Sequence, residues 1–179
     1  MARSVRGDRA AFGTLVERHE SRVYNVAYRM LGRAEDATDA MQDVFLTCWR
    51  KLEGFEGRSA FTTWLYRITV NACYDALRRR SREQPAEEEL PEIAEPDATE
   101  ASDAAIDVHR GLAAIPEEFR AVVILHDLQG QPYEDIAEAL GAPVGTIKSR
   151  LHRGRIALGR VLRGEQSEEL GSSKERETR

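Results

Sequence analysis

Lys148, Ser149, His152, Arg153 and Arg155 are cations and hydrogen-bond donors spaced to share one side of a helix. At about 100° per residue they fall opposite Ile147, Leu151, Leu158, Val161 and Leu162, which occupy one arc. An apolar inner face with a basic, hydrogen-bonding outer face is what a helix needs to lie in the major groove of DNA. Its first residues reach base edges, and its Arg and Lys side chains neutralise phosphates. The stretch in front, Pro132–Leu151, reads PYEDIAEALGAPVGTIKSRL. A short helix is predicted to end at Leu140, Gly141 suits the left-handed turn that stops it, and Pro143 stands where a first helical turn tolerates a missing N–H. This is the grammar of a helix-turn-helix. An ordinary amphipathic surface helix would also carry a basic face. It would need neither this turn nor the complete lack of acids from Pro143 to Arg163, where six bases stand.

Two further sets lie earlier in the chain. Trp64, Tyr66, Arg67, Asn71, Tyr74 and Arg78 fall outside the arc of Phe61, Leu65, Ile68 and Ala72 that a predicted helix would bury. Aromatics interleaved with Arg and Asn form a surface that stacks on unstacked bases and bonds their edges. The preceding loop, Gly54-Phe-Glu-Gly-Arg-Ser59, could wrap an extruded base. Trp64 or Tyr74 taken singly reads as an extension of the core; the whole set does not. The other set is Asp39, Gln42, Asp43, Leu46 and Arg50, opposite the helix face that contains Met41 and Cys48. It leaves Leu46 as an exposed apolar residue ringed by acids, suited to docking a basic protein helix.

Composition supports this reading. The chain of 179 residues is 32% charged and 41% hydrophobic, a globular composition with room for one domain or two small ones. The net charge of −5 hides a segregation. Ten acids and no Lys or Arg occupy Glu83–Asp107, whereas Arg78–Arg82 and Pro143–Arg163 are purely basic. Basic surfaces joined by a solvated acidic segment suit a polyanionic partner. No apolar run approaches the roughly 20 residues of a membrane span, and the N-terminus lacks the apolar core of a signal peptide. A cytoplasmic protein is expected. Cys48 and Cys73 form no CxxC and have no His cluster nearby, so neither a disulfide framework nor a metal site is expected. A Gly-rich phosphate loop, HExxH and a nucleophile elbow are all missing, and Asp127 beside His126 reads as helix surface. No enzymatic activity and no cofactor are expected.

Apolar recurrence at three and four predicts an all-α fold. Phe12, Leu15, Val16, Val23, Val26, Ala27 and Met30 mark a first helix ended by Gly32. Ala37, Met41, Val44, Cys48 and Leu52 mark a second ended by Gly54, and Ser59 is the expected N-cap of the third. Further helices are predicted near Ser102–Ala114, Pro116–Leu128, Tyr133–Leu140 and Pro143–Leu162. The Pro- and acid-rich stretch between divides the chain into an N-terminal unit at 8–82, a flexible linker at 83–101, a C-terminal unit at 102–163 and a polar tail at 164–179. Each unit is small, with one core of its own and little independent stability expected.

The motifs, in this order and at these separations, resemble the extracytoplasmic-function (ECF, group IV) sigma factors of bacterial RNA polymerase, in the sigma-70 family. Ala34–Trp49 is similar to sigma region 2.2, Phe55–Asn71 with Asp75 and Arg78–Arg80 to regions 2.3 and 2.4, and Ile115–Arg120 with the helix-turn-helix to region 4. The resemblance implies two small helical domains and no catalysis. Asp39, Gln42, Asp43 and Leu46 would dock on the clamp helices of the polymerase β′ subunit, with the β subunit a further contact. Phe55, Gly57, Arg58, Ser59, Trp64, Arg67, Asn71, Tyr74 and Arg78 would open the promoter −10 element and hold a flipped base. Thr146, Lys148, Ser149, Arg150, His152, Arg153 and Arg155 would read the −35 element. An anti-sigma factor is the implied inhibitor, and the acidic linker would thread toward the RNA exit path. A conventional helix-turn-helix regulator, dimeric on a palindrome, would need neither the base-stacking set nor the acidic docking face.

Overall fold

A computed structural model describes residues 8–83 and 103–164. The expected linker from residue 84 onward and the tail beyond residue 164 lie outside the described residues. Helix α1 spans Arg9–Leu31, opened by the Asp8 carboxylate accepting from the Ala11 N–H at 3.0 Å. Gly32 closes it at φ 83°, a left-handed conformation open to glycine at no steric cost. Helix α2, Ala34–Lys51, tightens into a 3₁₀ turn at Leu52–Gly54. Helix α3 spans Phe61–Glu83. The Trp64 N–H bonds the Ala60 carbonyl, so Ala60 and not Ser59 stands at the cap. The second half holds α4 (Asp103–Ala113), α5 (Glu117–Val123, widening into a π turn at Ile124–Leu128), α6 (Tyr133–Leu140) and α7 (Val144–Leu162). Gly141 ends α6 at φ 62°, and Pro143 caps α7 rather than opening its first turn. Among the described residues there is no strand.

The N-terminal half has a local core of Val23, Val44, Phe45, Cys48, Leu65 and Ile68. The C-terminal half has no separate one. Its Leu112, Ile115, Val122, Ile136, Ile147 and Leu151 belong to a single cluster with Val26 and Met30 of α1 and with Tyr66, Val70 and Cys73 of α3. The expectation of one core per unit is thus corrected. A unit of about 60 residues buries too little surface to stand comfortably alone, and here it borrows a wall from α1 and α3. Tyr66, placed outside the core by the single-arc projection, is only 2% exposed. The projection allowed α3 one buried face, whereas α3 packs on both cores. Leu162, assigned to the buried arc of α7, is 45% exposed, lying at the rim of the contact with Gly111 of α4.

Most polar bonds across the junction end at helix C-termini, the Tyr66 hydroxyl bond to the Gln129 side-chain oxygen being the exception. The buried Arg120 donates from Nη1 to the Met30 carbonyl in the last turn of α1. Its Nη2 donates to the carbonyls of Ala113, the last residue of α4, at 2.7 Å and of Ile115 at 3.0 Å. Buried His109 stacks on Tyr28 at 4.2 Å and places Nε2 3.4 Å from the Gly32 carbonyl. That contact makes Nε2 the donor, and Nδ1 has no partner.

Gly154 lies where α7 crosses α5. A Cβ there would stand 2.7 Å from Val123 Cγ2, 3.2 Å from Phe119 Cβ and 3.3 Å from the Phe119 carbonyl. Gly145, on the same helix, faces open space. Gly154→Val should lower unfolding stability by about 1–3 kcal/mol through overpacking. Gly145→Ala should raise it by up to about 1 kcal/mol through helix propensity. Urea unfolding of both variants checks the crossing.

Burial lowers the pKa of His109, reinforced by Arg29 and Arg120 and opposed by the Gly32 carbonyl. Burial, then Arg22 and Arg18, lowers that of His19. A histidine kept neutral in the fold takes a proton more readily when unfolded, at its ordinary value of 6.5. Stability should therefore be full above that value and fall as the pH drops through it. Urea midpoints measured from about pH 8 to 5 should show this loss, and His109→Gln should reduce it.

Candidate nucleic-acid and protein interfaces

The outer face of α2 carries Asp39, Gln42 and Asp43, all exposed, around Leu46, which is 53% exposed. Arg79 and Arg80 of α3 come back to this face, 3.9 Å from Asp43 and 4.0 Å from Asp36. A cleft of about 650 Å³ runs between the two helices, lined by these four residues together with Asp39 and Gln42. Such exposed pairs contribute little to stability. Their consequence is positional, because the acidic face and the basic end of α3 share an edge.

On the other side of that edge, Lys51, Trp64, Arg67, Asn71 and Arg78 line a second cleft of about 830 Å³. Trp64 is half-buried in an aromatic cluster, with ring centroids 5.1 Å from Phe55 and 5.7 Å from Phe61. It therefore both extends the local core and presents an edge to the cleft. Asn71 is exposed, Arg58 pairs with Glu56, and Ser59 is half-buried. Gly57 takes φ 71°, which the loop needs in order to turn back. Arg78 pairs with Asp75 one turn away. Tyr74 packs against the shared core, and burial, reinforced by Glu117, pushes its hydroxyl up to about 12. Tyr74 thus stands apart from the exposed members of its set. Arg67 is engaged: its Nη2 donates to the Glu138 carbonyl and its Nε to the Ala139 carbonyl at 3.4 Å, in the last turn of α6.

Helix α7 presents Lys148, Ser149, His152, Arg153 and Arg155 to solvent, with Thr146 and Arg150 half-buried. The Ser149 hydroxyl donates to the Thr146 carbonyl at 2.9 Å. The Lys148 ammonium sits 5.3 Å from the Tyr133 ring centroid, and Tyr133 stacks on His126 at 4.6 Å. Arg155 is clamped by Asp127, its Nε 2.9 Å from one carboxylate oxygen and its Nη2 bonded to the other. Asp127 reads from sequence as plain helix surface, yet it holds one of the predicted DNA contacts. The two lie 28 residues apart, and the π turn that aims Asp127 has no readable signature. Both cysteines are buried, and burial pushes each thiol up to about 12, leaving them unreactive in the fold. Among the described residues there is no metal-holding cluster and no helix long and apolar enough to cross a membrane.

The chain that carries these faces also matches known proteins. The family model for Sigma-70 region 2 matches residues 15–83, and that for Sigma-70 region 4 matches residues 106–158. The chain belongs to the sigma-70 family, among the ECF sigma factors. It is 40% identical to the ECF RNA polymerase sigma factor SigM of Mycobacterium tuberculosis, over 90% of this chain and 82% of that one. It is 38% identical to SigE of Mycolicibacterium smegmatis, over 93% of this chain and 68% of that one. Among solved structures it resembles the sigma factor RpoE of Bartonella quintana in complex with the anti-sigma factor NepR. The TM-score is 0.73 at 27% identity, covering 87% of this chain and 99% of that one. It also resembles CnrH in complex with the cytosolic domain of CnrY, with a TM-score of 0.71 at 26% identity, covering 92% and 96%. This sigma factor is accordingly a promoter-recognising transcription initiation factor.

The Asp127 clamp generates a prediction. Neutralising one phosphate contributes about −0.9 to the slope of log K against log salt on B-DNA. Asp127→Ala should free the Arg155 charge and steepen that slope by up to about one unit for duplex −35 DNA. A fluorescence titration at several salt concentrations reads it; an unchanged slope would mean that Arg155 faces away from the DNA.

Proposed function

We propose that this sigma factor binds core RNA polymerase through Asp39, Gln42, Asp43 and Leu46 of α2. The partner there is the β′ clamp-helix coiled coil, with the β subunit as a further contact. The Phe55–Ser59 loop and α3 open the −10 element, with Trp64, Arg67 and Arg78 along the strand and Asn71 offering donor and acceptor to a flipped base. Thr146, Lys148, Ser149, Arg150, His152, Arg153 and Arg155 read the −35 element. In this division 8–82 serves as region 2, 102–163 as region 4, 83–101 as the linker and 164–179 as the tail. The protein performs no catalysis of its own and works in the cytoplasm. An anti-sigma factor regulates it; the similar sigma factor RpoE of Bartonella quintana forms a complex with the anti-sigma factor NepR.

The observation that carries this reading is Leu46, a large apolar side chain 53% exposed and ringed by Asp39, Gln42 and Asp43. An apolar centre on an acidic face suits coverage by a basic partner helix.

Transcription on purified core polymerase tests the proposal. Leu46→Ala should weaken core binding by about 1–3 kcal/mol if the residue is central to the interface, and should lower transcription accordingly. Asn71→Ala should leave core binding and −35 duplex binding intact while reducing permanganate reactivity of the −10 region. Unchanged core binding for Leu46→Ala would remove α2 from the docking site, and unchanged reactivity would remove Asn71 from the base pocket.

A further inference from the structure

The polar residues of α7 fall on two stripes once the neighbouring elements are in place. Lys148 and Arg155 stand two turns apart, within about 20° of each other around the helix and about 10.5 Å along it. Ser149 and Arg153 stand about 100° and 140° further round from Lys148, away from the buried Ile147 and Leu151. The stripe of Lys148 and Arg155 is the one that meets the π turn of α5 and the start of α6, and both cations are held there. Asp127 of the π turn accepts from Arg155 Nε at 2.9 Å and from its Nη2. Lys148 is held differently: its ammonium lies over the ring of Tyr133, the first residue of α6, 5.3 Å from the centroid.

The Tyr133 ring is itself fixed. His126 stacks on it with centroids 4.6 Å apart. The His126 Nδ1 lies 2.9 Å from the Gln131 carbonyl, a partner that can only accept, so Nδ1 carries the proton and the imidazole is pinned. Gln131 is anchored in turn, its N–H donating to the Leu125 carbonyl at 2.9 Å. The π turn is closed by the Gln129 N–H donating to the Ile124 carbonyl, five residues back, at 3.0 Å. The two supports differ in what they leave available. The Asp127 carboxylate neutralises Arg155 and occupies two of its donors. An aromatic face attracts an ammonium without accepting its hydrogens in directed bonds, so Lys148 keeps its charge and its three donors. A free lysine must give up the rotamer freedom of a long stem to make a base contact. A ring that already holds the ammonium has taken much of that loss before DNA arrives.

We propose that Tyr133 is a specificity-determining positioning residue: its ring, pinned by His126, aims the Lys148 ammonium at one base edge of the −35 element. The preference at that base pair is then set by an aromatic ring on the first helix of the helix-turn-helix, outside the base contacts themselves. The inference rests on the functional reading above, in which Lys148 reads the −35 element, and adds what directs that residue. Guanine is the base that fits, because its O6 and N7 are both acceptors in the major groove and a lysine carries only donors. Asp127 acts on the other cation of the stripe and has no part in this preference.

Holoenzyme assembled from core polymerase and the full-length chain selects, by binding, from promoter fragments randomised across the −35 element, and the bound fraction is sequenced. Lys148→Ala locates the base pair that Lys148 reads, as the position whose preference flattens. Tyr133→Leu keeps an apolar side chain without the ring. It should flatten the same position by about two- to fivefold, the size of an exposed cation–π contact, and leave the other positions unchanged. Tyr133→Phe keeps the ring and should match the wild type. Tyr133→Leu combined with Lys148→Ala should be no flatter there than Lys148→Ala alone, and Asp127→Ala should leave that position sharp. The proposal is overturned if Tyr133→Leu leaves the position sharp, since Lys148 then needs no ring. It is overturned equally if Tyr133→Leu lowers binding to every sequence alike, since Tyr133 then only supports the fold, or if Tyr133→Phe flattens the position as much as Tyr133→Leu, since the hydroxyl then acts and not the ring. Those outcomes leave Lys148 as a reader of the −35 element. If Lys148→Ala itself changes no position, the functional reading of that residue fails, and the proposal with it.

Discussion

Arg120 is the group on which the two halves depend. It is a cation buried with no carboxylate bonded to it, an arrangement that would be prohibitive in an apolar interior. What compensates is backbone geometry. Met30 is in the last turn of α1 and Ala113 ends α4, so their carbonyls are among those that a helix leaves unpaired. Two helix C-termini, each carrying partial negative charge, converge on one guanidinium. Burial still lowers the pKa of Arg120, with Glu117 opposing from the side. The bonds do not make Arg120 comfortable so much as fix where α1, α4 and α5 meet.

The same device recurs at the other contacts. His109 faces the carbonyl of the residue that caps α1, and Arg67 faces the last carbonyls of α6. A basic or imidazole donor from one half closes a helix end of the other. Such bonds are directional and set register, while the area that favours docking is apolar: Val26, Met30, Tyr66, Val70 and Cys73 against Leu112, Val122, Ile136 and Ile147. The acidic outer face of α2 lies outside this junction and is exposed with the halves docked.

The candidate recognition faces are legible because each sits on one helix. Periodicity places Asp39, Gln42, Asp43 and Leu46 together on α2 and Lys148, Ser149, His152 and Arg153 together on α7, and the structure exposes both groups. Helix ends are legible where a glycine must take a left-handed turn, as at Gly32 and Gly141. Legibility fails where a helix has two neighbours. A single-arc projection of α3 assigns Tyr66 to the surface, but α3 is packed from both sides and Tyr66 is among the most buried side chains. It fails also where a residue's partner is remote: Arg155 reads as a free cation, and only the fold brings Asp127 to it.

The sequence by itself determined the helices, their order, the family and which residues could touch DNA or polymerase. These follow from local periodicity, capping and charge segregation, all expressed within one or two turns of chain. Only the tertiary structure decided that the halves share a core, that Arg120 and His109 tie them, and that Arg67 is engaged by the helix-turn-helix. These contacts join positions 70 to 90 residues apart. They end on backbone carbonyls, which every residue carries alike, so no side-chain pattern in the sequence could mark them.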